Sequence, residues 1–340
     1  MKGLKMKKVT PIVPLIKSQY AIAFVDILKQ IDSDIYPTIA KAQLPENILE
    51  PDHDYVPQLP LINLLRIIGE KAGPNRYSQL IWQVCRQVLV PSYAEKLKYA
   101  KTLEQAIEEF SVFFNQESTH STVKLRHLVG RHWLIREHNF NIEKLLDFRE
   151  LFILTFMIEL IRNLTKREWS PAEIVLTSDN ADELKKSLLV EDSIFYVNRS
   201  VIAISLTSAE LAQPISLKLG WHEAKPSEPR RPTQFVDSLK QALKPYLGLG
   251  RLSIESAADI LGMNVRTLQR RLKAEKASYS NIVENVLFTQ ACEMMTDGNI
   301  PITRIASSLG YSDLAHFSRA FKRITGQSPR AYRKQFQLLI

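Results

Sequence analysis

The chain has 340 residues, 45% hydrophobic and 24% charged, with 45 Lys and Arg against 36 Asp and Glu. That is the balance of an ordinary globular protein long enough for two domains. Its two cysteines, Cys85 and Cys292, stand far apart without CxxC spacing, which excludes a disulfide framework and points to a reducing compartment, hence a cytoplasmic location.

Taken in order, Met1 to Lys8 is basic, but Pro11 and Pro14 break the apolar stretch that follows, so no signal peptide is expected. Tyr20 to Ile31 reads as a helix stopped by Asp32-Ser33-Asp34. Loop is expected at 44–46 and 51–60, and helix again from Leu61 to Ala72 before Gly73-Pro74. Thr102 is placed to cap a helix from Leu103 to Asn115, with Leu103, Ala106, Ile107 and Phe110 inward. The longest apolar run, Leu145 to Leu164, contains Asp147, Arg149, Glu150, Glu159 and Arg162; it reads as a buried amphipathic helix, not a membrane span.

After Trp169 the texture changes to strand. Glu173–Thr177, Ser193–Val197 and Val201–Leu206 have strand character, and Ala181–Leu188 has helical character, so the first domain is expected to end in a β-α-β-β unit. His120, His127, His132 and His138 fall close together but share no i, i+4 register, and they read as surface or packing histidines in preference to a metal site. Trp82, Phe113, Phe114, Trp133, Phe140, Phe148, Phe152 and Phe156 read as core, with a pocket between the helical part and the β unit as the default ligand site. No Gly-rich phosphate loop, nucleophile elbow or metalloprotease motif occurs, so neither an enzyme nor a cofactor is expected.

From Gly220 to Pro232 the chain is proline-rich and lacks an apolar period, as a linker does. Beyond it one pattern occurs twice. Ser256-Ala-Ala-Asp-Ile-Leu-Gly-Met-Asn-Val-Arg-Thr-Leu-Gln-Arg-Arg-Leu is matched by Arg304-Ile-Ala-Ser-Ser-Leu-Gly-Tyr-Ser-Asp-Leu-Ala-His-Phe-Ser-Arg-Ala-Phe, with Leu268 against Phe317 and Arg270 against Arg319. In each copy a short helix ends at Leu261-Gly262 or Leu309-Gly310, the glycine supplying a left-handed residue. Asn264, or Ser312-Asp313, then opens a second helix. In the first copy Val265, Leu268 and Leu272 face inward, leaving Arg266, Gln269, Arg270 and Lys273 outward. In the second, Leu314, Phe317, Phe321 and Ile324 are expected inward and Ala315, Ser318, Arg319 and Lys322 outward. Outward Arg and Gln at the start of such a helix suit guanine and adenine in the major groove. A helix from Ser278 to Thr296 joins the copies, with Ile282, Val286, Phe288 and Met295 binding them into one body.

Charge divides the same way. From Arg230 to Ile340 there are 17 Lys and Arg against 8 Asp and Glu, leaving 28 of each elsewhere, so the whole excess lies in the repeat region. A basic domain on a neutral one is the expected pattern for a DNA-binding module joined to a sensing or oligomerising one.

Residues from about 235 to 335, above all Ala306-Ser-Ser-Leu-Gly-Tyr-Ser-Asp-Leu-Ala-His-Phe-Ser-Arg-Ala-Phe-Lys-Arg-Ile-Thr-Gly-Gln-Ser-Pro-Arg-Ala-Tyr-Arg, resemble the DNA-binding domain of the AraC family of bacterial transcription regulators. The resemblance implies double-stranded DNA and RNA polymerase as partners, activation as the output with repression as the variant, and two helices in adjacent major-groove segments. Arg266, Thr267, Gln269 and Arg270 would face bases in one segment, and Leu314, Ala315, Ser318 and Arg319 in the next. Asn264, Arg271, Lys273, Ser312, Lys322, Arg323 and Arg333 would meet the DNA backbone. Leu314 also continues the inward stripe and is assigned to the core in preference to the groove. Lys276 stands where the family usually has glycine, which calls for an unusual backbone conformation there.

Tyr99-Ala-Lys-Thr-Leu-Glu-Gln-Ala-Ile, Leu164-Thr-Lys-Arg-Glu-Trp-Ser-Pro-Ala-Glu-Ile and Ile194-Phe-Tyr-Val-Asn resemble the arabinose-binding-like N-terminal domain of a branch of that family. That likeness implies a small-molecule effector of unnamed chemistry, a homodimer contact, or both. The expected layout is therefore an α+β domain over 10–219, mostly helical and ending in the β-α-β-β unit, a linker at 220–232, and an all-α domain over 233–338. The latter holds two helix-turn-helix units, 253–275 and 302–324, joined by the linker helix. An effector-independent architectural DNA-binding protein stays open, as does an enzyme with a DNA-binding appendage, although such enzymes use a reactive cysteine near a Cys-rich metal site and this chain has two isolated cysteines.

Overall fold

The structure is a computed structural model that describes residues 12–50, 54–138, 146–215, 231–249 and 252–337. The chain separates into two compact units. One comprises Pro14–Leu49 and Gln58–Arg231; the other comprises Met1–Val13, Glu50–Pro57 and Pro232–Ile340. The segment around Tyr55, counted by chain order with the first domain, therefore groups with the C-terminal unit. Most of the expected linker, 220–230, lies outside the described residues.

The N-terminal unit begins with helices α1 (Ser18–Leu28), α2 (Tyr36–Lys41), α3 (Gln58–Ala72) and α4 (Pro74–Val84). A π-helical turn over Cys85–Leu89 leads into α5 (Val90–Ala94), where Pro91 withholds an amide and the helix shifts its bonding. Then comes α6 (Leu103–Glu117). Thr102 caps it by accepting the Gln105 amide, and Leu103, Ala106, Ile107 and Phe110 are buried as their spacing predicts.

Next is a hairpin that the reading of a mostly helical domain did not anticipate: β1 (Ser121–Leu128) and β2 (Arg131–His138), antiparallel from Ser121↔His138 to Leu128↔Arg131. Its turn is Val129-Gly130, both at positive φ (52° and 73°). That geometry matches the twist of paired strands, but a valine in the left-handed region is not the Asn-Gly pair that marks such turns in a sequence.

Helix α7 (Leu146–Thr165) follows, then β3 (Glu173–Val175), α8 (Ala181–Leu188), β4 (Ile194–Tyr196), β5 (Ile202–Leu206) and α9 (Ser208–Leu211). The expected β-α-β-β elements are all present, but they do not form a separate sheet. They join the hairpin in one five-stranded sheet of order β1-β2-β5-β3-β4, antiparallel except for the β3–β4 pair. Period-2 alternation puts Val123, Leu134, Arg136, Ile174, Ile202 and Ile204 on the face that is buried. The core beside it is aromatic: Phe24, Phe110, Phe114, Phe152 and Phe156 are all buried with Tyr20 and Tyr93, and Tyr93 meets Phe110 edge-on at 5.0 Å. Among the aromatic residues expected in the core, Trp82 is 41% exposed, and Phe140 lies outside the described residues. No described helix is long and apolar enough to cross a membrane.

The C-terminal unit is helical: α10 (Phe235–Leu243), a 3-10 turn over Lys244–Leu249, α11 (Ile254–Ile260), α12 (Val265–Ala274), α13 (Tyr279–Thr296), α14 (Ile302–Ser308), α15 (Leu314–Thr325) and α16 (Pro329–Gln337). Its base takes in two N-terminal pieces. The amide of Val13 donates to Ser238 Oγ at 2.9 Å, and Tyr55 and Val56 are buried in the segment that packs on α10.

Candidate nucleic-acid interface

Each helix pair of the repeat is built by the same local chemistry. Gly262 and Gly310 close the first helices at φ 64° and 72°, a conformation that costs other residues a Cβ clash. The next helix then needs acceptors for its free amides. Asn264 Oδ1 takes the Thr267 amide at 2.8 Å, and Asp313 Oδ1 takes the His316 amide at 2.6 Å. Helices α12 and α15 are therefore started at equivalent places, each behind a tight turn.

Behind them α13 packs on α14 of the second unit, and its Tyr279 hydroxyl donates to the Ser253 carbonyl at the head of the first at 3.3 Å. Leu268 and Leu272 are buried under α12, and Phe317 and Phe321 under α15. Phe321 meets Phe288 of α13 at 5.2 Å, Tyr332 of α16 at 5.3 Å and Phe317 at 5.7 Å. Ile282, Val286 and Met295 are buried on α13, as the sequence pattern requires of a connecting helix.

The outer faces are polar and mainly basic. Arg266, Gln269, Arg270 and Lys273 of α12 are exposed, with Thr267 half-buried at its start. On α15, Ala315, Arg319 and Lys322 are exposed and Ser318 is half-buried. Two apolar residues depart from the expected inward stripe: Leu314 is 39% exposed and Ile324 is 40% exposed. They occupy the first and last turns of α15, beyond the aromatic layer around Phe321, so the helix ends overhang the surface they would otherwise cover. Leu314 thus stands with the outward residues, not in the core.

The expected backbone contacts differ in how freely they are presented. Lys273 and Lys322 are exposed. Arg323 is also exposed but its Nη2 bonds Glu284 Oε1 at 2.7 Å. Arg271 is half-buried with its guanidinium 5.5 Å from the Phe235 ring, and burial followed by repulsion from Arg270 lowers its pKa. Arg333 is half-buried, and its Nε and Nη2 are shielded without a hydrogen-bond partner. Asn264 and Ser312 are exposed; the former's carbonyl is engaged as the cap, and the latter's hydroxyl donates to Asp313 at 3.3 Å. Lys276 has φ 53°, the left-handed conformation that its substitution for glycine demands. One exposed group on this face was missed by the sequence reading: His316, beside the α15 cap with its ring 5.5 Å from Tyr311. Its place two residues after Leu314 was the available signal.

A second surface of interest lies in the N-terminal unit. A groove of about 450 Å³ is lined by Gln79, Trp82, Thr155, Glu159, Arg162 and Lys186, among others. Within it Glu159 accepts from Trp82 Nε1 at 3.1 Å and from Arg162 Nη1 at 2.8 Å. The four histidines lie along the hairpin and its approach. His127 and His132 face each other across it at 4.7 Å, and His138 Nδ1 is 2.8 Å from Ser121 Oγ.

Residues 257–335 match the family described as helix-turn-helix domain, and this part of the chain is an AraC-type helix-turn-helix domain. Over 84 residues the chain is 40% identical to the HTH-type transcriptional regulator VqsM of Pseudomonas aeruginosa, covering 25% of this chain and 26% of that protein. Over 87 residues it is 38% identical to the HTH-type transcriptional regulator VirS of Mycobacterium tuberculosis, covering 26% of each. Thus the likeness spans about a quarter of the length of these relatives. Among solved structures, the transcriptional regulator CdpR from Pseudomonas aeruginosa aligns over 92% of this chain and 97% of its own, at 17% identity and a TM-score of 0.38.

Proposed function

We propose that the chain is a sequence-specific DNA-binding regulator of transcription. The observation that carries this is the doubled presentation: two helices, each capped behind a left-handed glycine and each exposing arginine, in units that α13 joins. A single basic helix has many uses. Two in one frame suit two successive segments of major groove, roughly 34 Å apart on one side of a duplex.

In this proposal Arg266, Thr267, Gln269 and Arg270 read one half of an asymmetric site, and Leu314, Ala315, Ser318 and Arg319 read the other. Arg and Gln give bidentate contacts, whereas Leu314 and Ala315 offer thymine methyl groups a surface, so the second half carries less sequence information. Asn264, Arg271, Lys273, Ser312, Lys322, Arg323 and Arg333 supply contacts to phosphates and sugars. The domains run over 10–219 and 233–338 about the linker at 220–232. The N-terminal domain binds a small effector, makes a homodimer, or does both, and the output is activation through RNA polymerase in the cytoplasm.

The test is a fluorescence-anisotropy titration of the full chain against a selected duplex pool and a scrambled control at several salt concentrations. Selective binding with a modest salt slope is the expected result. Equal binding to both pools with a steep slope would overturn sequence-specific regulation and leave a basic DNA-coating protein.

A further inference from the structure

Among the described residues of the N-terminal unit, buried charges are paired except at one place. Glu117 accepts from Lys96 Nζ at 2.9 Å, Glu159 from Arg162 at 2.8 Å and Glu173 from Arg131 at 3.0 Å. What remains is Arg136 at 5% exposure, Arg149 at 7% and Glu150 at 0%. Glu150 accepts the amides of Thr177 (2.7 Å) and Ser178 (3.1 Å) and both of their hydroxyls, so its oxygens are committed to the β3 end. Neither arginine is bridged to a carboxylate among the described residues, and the Nε of each is buried without a hydrogen-bond partner. Among the described residues, two guanidinium charges against one carboxylate leave a buried excess of one positive charge.

These groups converge. Arg136 and His138 are two residues apart on β2 and so share the inner face of the sheet, at the end of an apolar stripe that includes Leu134 and Ile204. The Arg136 guanidinium lies 4.8 Å over the Phe114 ring of α6, and Arg149 comes from α7, which packs on both α6 and β5. His138 offers Nε2, buried and unpartnered, while Nδ1 is held by Ser121. Burial, as the largest cause, brings Arg136 down to about 10; Tyr20 opposes that shift and the charge of Arg149 adds to it. Burial and both arginines also depress His138, which keeps its imidazole neutral.

We infer that Arg136, Arg149 and His138 form the recognition site for a small organic monocarboxylate. A guanidinium presents a planar fork of donors that fits a carboxylate bidentately, and a buried unpaired cation is stable only when a counter-charge completes it. One negative charge balances the local excess, whereas a phosphate dianion overshoots it. The site deepens the effector-sensing role proposed above for this unit and rests on it.

The test measures thermal stability of the full chain in acetate, butyrate or octanoate, against matched chloride, inorganic phosphate and the neutral butyramide. A saturable rise in Tm with a carboxylate but not with butyramide or chloride is expected. Arg136→Met and Arg149→Met should each weaken that binding by about tenfold or more. Without ligand, each methionine variant should melt at or above the wild-type temperature, because an unpaired buried charge has been removed. A structural arginine would instead give a lower Tm, which would overturn the proposal. So would no response to any carboxylate, saturation by phosphate alone, or a carboxylate response kept in both variants. Anisotropy on the selected duplex, run on the same preparations, reports the DNA-binding reading separately.

Discussion

Arg270 and Arg271 are neighbours in the chain with opposite surroundings, so replacing each by alanine separates reading from folding. Arg270 is exposed on α12, and alanine there should change folding stability by no more than about 0.5 kcal/mol. In the base-reading role proposed for it, its loss removes a bidentate base contact, which costs about 1–3 kcal/mol, or about 5- to 150-fold in affinity for the preferred duplex. Arg271 is half-buried with its guanidinium 5.5 Å from Phe235. Removing that cation–π contact and the packing of its stem should cost about 1 kcal/mol of stability. The assays are urea unfolding and anisotropy on selected and scrambled duplexes. The reasoning is refuted if Arg270→Ala lowers the urea midpoint as far as Arg271→Ala does, or weakens both duplexes by the same factor.

Lys276→Gly should stabilise the chain by about 0.5–1 kcal/mol, because glycine adopts φ 53° without the Cβ clash and gives part of that gain back as chain entropy; a lower urea midpoint would contradict this. Phe321→Ala should cost about 3–5 kcal/mol, since the ring is 2% exposed amid Phe288, Phe317 and Tyr332, and denaturant unfolding measures it. The His316 amide, as the largest influence, holds the Asp313 carboxyl below its usual range. A depressed pKa contributes stability that is present above the unfolded-state value and lost as pH falls through the folded-state value. The stability gap between the wild type and Asp313→Ala should therefore narrow in acid, and a gap that widens there would sink the capping assignment.

The repeat region was legible because its determinants are local. A glycine that must turn left-handed, a cap residue three positions before a free amide, and apolar residues every three or four positions all act within one helical turn. Hence α11 to α15 lie close to where spacing puts them, and the helix capped by Thr102 begins where the cap predicts. The errors fall at ends and edges. Leu314 and Ile324 fit the stripe but overhang the aromatic layer, and spacing alone carries no information on where a partner surface stops.

The hairpin was hidden for a different reason. Val129-Gly130 is a turn by virtue of the strands on either side of it, and β1 is exposed over its last three residues, so its alternation fades toward the turn. Nor could the five-strand order be read, because β2 meets β5 across an interval that includes α7, β3, α8 and β4. By itself the sequence determined the paired helix-turn-helix frame and the outward arginines of α12, since each depends on residues within a few positions of one another. Only the tertiary structure decided which charges lack a partner. Arg136 and Arg149 are ordinary basic residues in the chain, and they become an unbalanced pair because sheet and helix packing bury them together while Glu150 is committed to Thr177 and Ser178.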